Sequence, residues 1–569
     1  MARKKNIIKN QKSSTEIKPP TINDALKISI AEEIISSPVE AIIEKPENLE
    51  NSSIPRPDET EDLTALPDPS PIPSRARKVL ILTVLCDIFV LTAYVWLISI
   101  GTWTKWQSIS NNYDYNLLAT SFRAGRLSLE IKPDPALLAL SNPYDPEGRT
   151  GVPFPWDASL YKGKFYLYFG PTPAIILLVA KTIYPGPIGD QYIFFAFISG
   201  TYLVGSLFIF KIWRRFFTDI SLWKIGCSLL VIGLIDPFFW TLGIPFIYNT
   251  AIMSGQFFFL AGFYLAFDAL DRDTISTWKL VLTGILWTAA IGSRFTQILP
   301  IGFMAVMISI WLLRKYRQTE MTTRSIQALP GFVLTLTLGV IALGWYNWAR
   351  FSSVFETGIT YQLAGIDFQK YHSLLFAPSY IIENLYNYFL NPPKLIYSFP
   401  WFRTLNGINQ SIITGLPLPD IYRSQKIVGL LYNSPFIIFA IIPVARIFPG
   451  GTDKTRNEED QRSFNWLVIA LLGSFLSTTA FLLLFFFSAG RYLNDFLPCL
   501  LLLSVIGFWQ LSHPAASKPV FRVLYIFSAI TLILISIIVS NLLALDVNNT
   551  GFKALNPLLW RQLSNFFRP

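Results

Sequence analysis

Histidine and cysteine are nearly missing from this chain. Its 569 residues include two histidines, His372 and His513, and three cysteines, Cys86, Cys227 and Cys499. All three cysteines fall inside apolar runs and read as small core residues rather than disulfide partners. A metal cluster of His and Cys ligands is thereby excluded, whereas a carboxylate-bound metal is not. Charge is also scarce, at 15% of residues. No Walker loop, Gly-x-Ser-x-Gly elbow or His-Glu-x-x-His helix occurs, so no motif marks P-loop, α/β-hydrolase or zincin chemistry. No internal repeat is visible, which counts against an inverted-repeat transporter. The basic start, MARKKNIIKNQK, lacks an adjacent apolar stretch and is not a secretory signal peptide.

What the chain has instead is apolar surface: 52% hydrophobic and 15% aromatic residues. These gather into runs of about 20 residues, long enough to cross roughly 30 Å of hydrocarbon as helices. The runs are continuous rather than alternating, which points to self-satisfied α-helices and not a β-barrel. The expected fold class is an all-α polytopic membrane protein with about eleven transmembrane helices and two extracytoplasmic loop regions. The spans fall near 79–101, 190–211, 225–244, 250–268, 280–296, 298–314, 328–348, 427–447, 465–487, 493–512 and 523–545. The run at 171–184 is too short to span and reads as an interfacial or re-entrant helix.

The formal net charge of +10 is not a nucleic-acid signal, because Lys and Arg cluster in short loops between apolar runs. Arg75, Arg77 and Lys78 precede the first run. They place the N-terminus in the cytoplasm, and the segment after the first span outside a plasma (inner) membrane. Residues 1–78, rich in Lys, Glu, Ser and Pro, read as a disordered cytoplasmic tail. Residues 79–545 form the membrane domain, with external loops at 102–189 and 349–426, and residues 546–569 form an external tail. The second loop is dense in Tyr, Trp and Phe. It reads equally as a cover lying on the bilayer and as a small packed subdomain.

The candidate site residues are acids and bases at the outer ends of spans. Asp114, in NNYDYNLLATSF, starts an amphipathic helix patterned by Tyr115, Leu118, Ala119 and Phe122. It reads as a general base at the membrane face or as an acid complementing the helix dipole. Asp157, in PWDASLYKGKFY, is the second acid; its plain reading is a helix or turn cap. Lys162 and Lys164 project from a Lys-Gly-Lys turn, where they meet a phosphate or simply water. Arg491, in SAGRYLND, and Arg294, in GSRFTQ, suit a phosphate through their planar forks, against the alternative of snorkelling to headgroups. Asp236 lies inside an apolar run before a proline and is a site candidate by that position alone. Tyr361 and Gln362 follow Arg350 and Glu356 in a stretch with enough polar groups to bind a ligand.

Taken in order, YDYNLLATSFRAGRLSL, WDASLYKGKFYLYFGPTPAIILL, GSRFTQILP, YNWARFSSVFETGITYQLAG and GRYLNDFLPCLLLL resemble the GT-C superfamily of polytopic glycosyltransferases. That superfamily includes protein O-mannosyltransferases and the aminoarabinose transferases of lipid A. The likeness runs from about residue 80 to 510. It implies a polyprenyl-phosphate sugar donor, and an acid in the first external loop, matched by Asp114, that deprotonates an acceptor hydroxyl. The oxygen would attack the anomeric carbon with inversion while Arg, Lys or a divalent metal (Mg or Mn) stabilises the departing phosphate. The acceptor is left open among glycan, lipid and protein. Two departures stand out: Tyr115 follows Asp114 where many relatives carry a second acid, and Asn249 lies where some carry another. Asp157 and Asp236 compete for that second-acid role. A flippase of lipid-linked sugars and a non-catalytic glycan-lipid-binding subunit are the rival readings.

Overall fold

The computed structural model describes residues 74–104, 106, 114–235, 238–271, 275–318, 327–413, 415, 418–447, 456–511, 519–546 and 551–568. The expected tail lies outside these residues as far as 73. The first helix, Ser74–Ile98, starts before the apolar run at Val79. Its Ser-Arg-Ala-Arg-Lys beginning tolerates helix, and Arg75 is held there by a 2.9 Å bond to the Ile220 carbonyl.

Among the described residues, seven helices are long and apolar enough to cross a membrane: Ser74–Ile98, Asp190–Phe216, Ile247–Leu270, Phe295–Arg317, Ala328–Phe351, Glu458–Leu484 and Val523–Ala544. Four shorter apolar helices, Leu222–Leu234, Thr277–Ile291, Pro435–Ile447 and Leu497–Gln510, overlap the spans expected near 225–244, 280–296, 427–447 and 493–512. Punctuation explains the shortening. The first stops ahead of the Asp236–Pro237 pair, and Gly429, Asn433 and Pro435 break the run at 427–447 into a strand end, a short turn of helix and a 3₁₀ stretch.

Burial sorts the helices. Ile247–Leu270 is 78% buried over its most apolar stretch and runs through the centre, whereas Ala328–Phe351 is 11% buried and presents Leu338, Ile341 and Trp345 outward. Thr277–Ile291 packs between the two, setting Trp287 against Gly262 of the central helix and meeting the outer one through reciprocal glycines. A Cβ on Gly284 would lie 2.2 Å from Thr335 Oγ1, and one on Gly339 1.9 Å from Thr288 Oγ1. Each glycine thus admits the other helix's threonine, the close approach by which apolar helices associate without hydrophobic drive.

Charges gather at one end of the bundle. Asp268 accepts from both Lys211 and Lys279, and Arg215 pairs with Asp271 at 3.0 Å and Asp460 at 2.6 Å. Basic residues read from sequence as loop charges are therefore also neutralised by acids.

The non-helical segments pack at the other end. Residues 352–429 carry a small core of their own, with Phe368, Leu375, Tyr380, Ile421 and Tyr422 gathered on Phe486. Two buried asparagines stitch it down. Asn384 donates to the carbonyls of Leu482, Leu483 and Phe485, and Asn387 donates to Ser488 and accepts from the Ile408 amide. The tail expected over 546–569 includes two helices, Phe552–Leu555 and Pro557–Phe566. Trp560 and Phe567 each stack 5.3 Å from Phe399, Phe552 meets Trp96 at 5.9 Å, and Asn556 donates to the Ile100 carbonyl at 2.8 Å.

Candidate functional site

The site is built on a β-hairpin. Strands Ala158–Tyr161 and Lys164–Leu167 pair antiparallel with Tyr161 opposite Lys164, leaving a two-residue turn, Lys162–Gly163. Both turn residues have positive φ, +47° and +69°, the pattern that matches the twist of the flanking strands. The far end of the hairpin is tied to the bundle: Arg350 donates to the Leu167 carbonyl at 2.8 Å, and Tyr166 packs on Phe351 at 5.4 Å.

A third piece of chain then lines up on the first strand. Ser159 bridges to Gln362, the Leu363 amide donates to Ala158 O at 2.8 Å, and the Asp157 amide donates to Leu363 O at 3.1 Å. This pairing carries two of the sequence-predicted residues together. Gln362 Nε2 donates to Asp157 Oδ1 at 2.8 Å. Asp157 itself sits at φ +64°, a left-handed conformation that Asp adopts more readily than most residues. Burial pushes the Asp157 carboxyl above the usual carboxylate range, while the nearby Arg491 charge and the Gln362 hydrogen bond pull it back in part.

Arg491 completes the cluster. It lies in the 3₁₀ turn Gly490–Asp495, after the helix Glu458–Leu484 and before Leu497–Gln510. Its guanidinium carbon stands 4.4 Å from the Tyr248 ring, 5.0 Å from Tyr492 and 5.4 Å from Phe487, and Nη1 donates to the Gln425 side-chain carbonyl. No described carboxylate lies within ion-pair distance of it. Arg491 is thus a cation held by rings and a neutral amide, with an acid near enough to feel its field. Burial pushes the Tyr168 hydroxyl up to about 12, so Tyr168 stays a neutral neighbour between Asp157 and Arg294.

Of the other predicted residues, Arg294 borders the cluster through Tyr492 and the rest lie apart from it or outside the description. Arg294 is locked to Asp495, with Nη2 to Oδ2 at 3.0 Å and Nε to Oδ1 at 3.3 Å, while Thr296 adds a third bond at 3.1 Å. Tyr361 is a packing residue between Tyr161 (4.6 Å) and Phe351 (5.8 Å). Lys162 and Lys164 sit at the hairpin tip, one strand length, roughly 13 Å, from Asp157. Lys162 donates to Ser352 Oγ at 3.2 Å and Lys164 is exposed. Asp114 opens the helix Asp114–Arg123, whose Tyr115, Leu118 and Ala119 are fully buried as the pattern predicts; the Asp114 side chain lies outside the description. Asp236 also lies outside the described residues.

Sequence reading missed Tyr248, Tyr492 and Gln425, whose only signal is their place at the ends of apolar runs. It also missed Asp87, an acid inside the first helix that accepts from Tyr202 at 2.9 Å and Ser206 at 3.2 Å. The signal was available in TVLCDIFVL, an acid with apolar residues on both sides.

Among the described residues no three His, Cys, Asp or Glu side chains converge on a metal position. Around Asp157 the donor set does not suit a cation, because Oδ1 takes an amide hydrogen and the nearest charge is a guanidinium.

No protein-family model matches the chain, and no curated protein does. Among solved structures it is similar to the apo oligosaccharyltransferase of Archaeoglobus fulgidus, with 14% identity and a TM-score of 0.40. That alignment covers 82% of this chain and 56% of the archaeal one, so the chain spans little more than half of that protein's length.

Proposed function

We propose that this chain is a membrane glycosyltransferase of the GT-C kind. It would move a sugar from a polyprenyl-phosphate donor to an acceptor hydroxyl, by single displacement, on the outer side of the membrane. The observation that carries the reading is Arg491: a guanidinium caged by Tyr248, Tyr492 and Phe487 beside the half-buried Asp157. A planar cation with no carboxylate partner among the described residues suits a phosphate, which accepts two parallel hydrogen bonds from it. An acid whose proton affinity burial raises is better suited to take a proton than an ordinary carboxylate.

The two groups are coupled. Arg491 lowers the proton affinity of Asp157 in the empty site. A donor phosphate seated on Arg491 would cancel much of that field, so donor binding itself makes Asp157 the stronger base. The acceptor oxygen loses its proton to a carboxylate and attacks the anomeric carbon; the C–O bond to the lipid phosphate breaks, and Arg491 holds the charge released on the phosphate. Asp157 and Asp114 divide the acidic roles, with Asp114 assigned from its place after the first span. No step passes through a metal.

The test is direct binding of a panel of polyprenyl-phosphate sugars to the purified full chain, followed by transfer assays. Saturable binding that Arg491→Ala abolishes and Asp157→Asn retains, with transfer lost in both, is the expected result. Equal donor binding by Arg491→Ala would remove the proposal. Asp114→Asn in the same assay decides which acid takes the proton. Cysteines placed at Ser110 and Ser517 report orientation, with labelling expected from outside and inside respectively.

A further inference from the structure

Most exposed tryptophans in this protein belong to long or apolar helices, as Trp278, Trp345 and Trp348 do, and lipid covers such positions. Trp156 is different. It is 60% exposed, lies on no helix, and immediately precedes Asp157. Polar groups lie beside it in the chain: Asp157 follows it, and Asp367, shortly beyond the Gly365 that touches the indole, accepts from Asn142 at 2.9 Å. Gly365 abuts the indole edge, a Cβ there falling 3.7 Å from it.

The ring is also preset. Phe154 lies behind Trp156 at 6.0 Å with 28° between the planes, and the Arg149 guanidinium stands 4.4 Å from the Phe154 ring. Arg149 is buried, and donates to the carbonyls of Ala364 and Tyr144. The indole therefore rests on a stack anchored to two stretches of backbone, and little ordering remains to be done when something binds to it.

One flat exposed ring with polar groups beside it in the chain selects its ligand. An apolar peptide or lipid tail needs a contiguous apolar patch. A pyranose offers a face of C–H groups for the indole and hydroxyls for the surrounding amides and carboxylates. We propose that Trp156, backed by Phe154, is a saccharide-stacking platform and that the acceptor is a glycan whose terminal sugar lies across the indole. The inference rests on the transferase reading for the word acceptor and on the Trp156 geometry for the rest. The left-handed turn at Asp157 sends its carboxyl in to Gln362 while Trp156 stays at the surface, so a sugar on the ring borders the acid.

The experiment is saccharide binding to the full chain in nanodiscs, read by saturation-transfer NMR over a panel of soluble neutral, N-acetylated and uronate oligosaccharides. Wild type binds at least one class, and Trp156→Ala weakens it by about tenfold or more, the scale of losing one central aromatic contact. Trp156→Phe keeps a ring and retains part of the affinity. Unchanged thermal unfolding of Trp156→Ala shows that the loss is local. Equal binding by Trp156→Ala, or no saccharide bound by wild type, overturns the platform. Saccharide binding without any polyprenyl-phosphate binding would instead keep the platform and sink the donor assignment.

Discussion

Arg294 and Arg491 stand against the same ring. Their guanidinium carbons lie 4.9 Å and 5.0 Å from the centre of Tyr492, and both come from chain turns beside apolar helices. Yet one has a carboxylate locked to it and the other has an amide and aromatic faces. At Asp495 the side chain is fully buried and both oxygens are taken by Arg294 and Thr296. Around Arg491 the described partners are neutral, and Asp157 feels its field without closing on it. A cation at membrane depth that has met its counter-charge is part of the scaffold. One left with neutral neighbours keeps its field for something that arrives.

That contrast can be broken at several strengths. Arg294→Ala leaves Asp495 charged and sealed, and should cost about 3–5 kcal/mol of stability, seen as a large fall in the thermal unfolding midpoint. Replacing both partners, Arg294→Met with Asp495→Leu, should recover most of it. If Arg294→Ala unfolds like wild type, the pair is not structural. Arg491→Ala should do the reverse. Transfer falls by about 10²–10³-fold, as for loss of one oxyanion donor, while the unfolding midpoint hardly moves.

Gln362→Leu sharpens the acid side of the comparison. Its donated hydrogen bond favours the Asp157 carboxylate, so its loss raises the proton affinity further and moves the acidic limb of the rate profile to higher pH. On the proposed mechanism, the limb for kcat in the native protein should already lie at higher pH than that for kcat/KM, since a bound phosphate would mask Arg491 only in the complex. The sign for stability follows. An acid whose folded-state pKa is raised costs stability as pH climbs through it, so Asp157→Asn should flatten the stability profile above the ordinary carboxylate range. The smallest effect is expected at Arg462, whose pair with Glu458 is 74% and 90% exposed. Arg462→Ala should change unfolding by less than about 1 kcal/mol.

Sequence alone could not separate the two arginines. GSRFTQ and SAGRYLND look alike as polar breaks between apolar runs, and what distinguishes them arrives from far away. Asp495 reaches Arg294 across 201 residues, and Gln425 reaches Arg491 across 66. Local features were legible because local physics sets them. The Lys162–Gly163 turn needs two left-handed residues, the Tyr115–Leu118–Ala119 stripe needs one buried helix face, and long apolar runs satisfy their own backbone. Helix ends were read less well. The run at 225–244 carries its own stop at Asp236–Pro237, and an acid such as Asp87 hides inside an apolar run because its hydroxyl partners lie on another helix.

The clasp formed by residues 552–567 has a consequence in time. The ribosome reaches Asn556 only after all seven long apolar helices have been made, and its partner, the Ile100 carbonyl, was synthesised 456 residues earlier. The exit of the first helix therefore waits through most of translation before the Trp560 and Phe567 rings close over Phe399. A nascent chain halted before that point carries all seven of these described helices with the clasp still open.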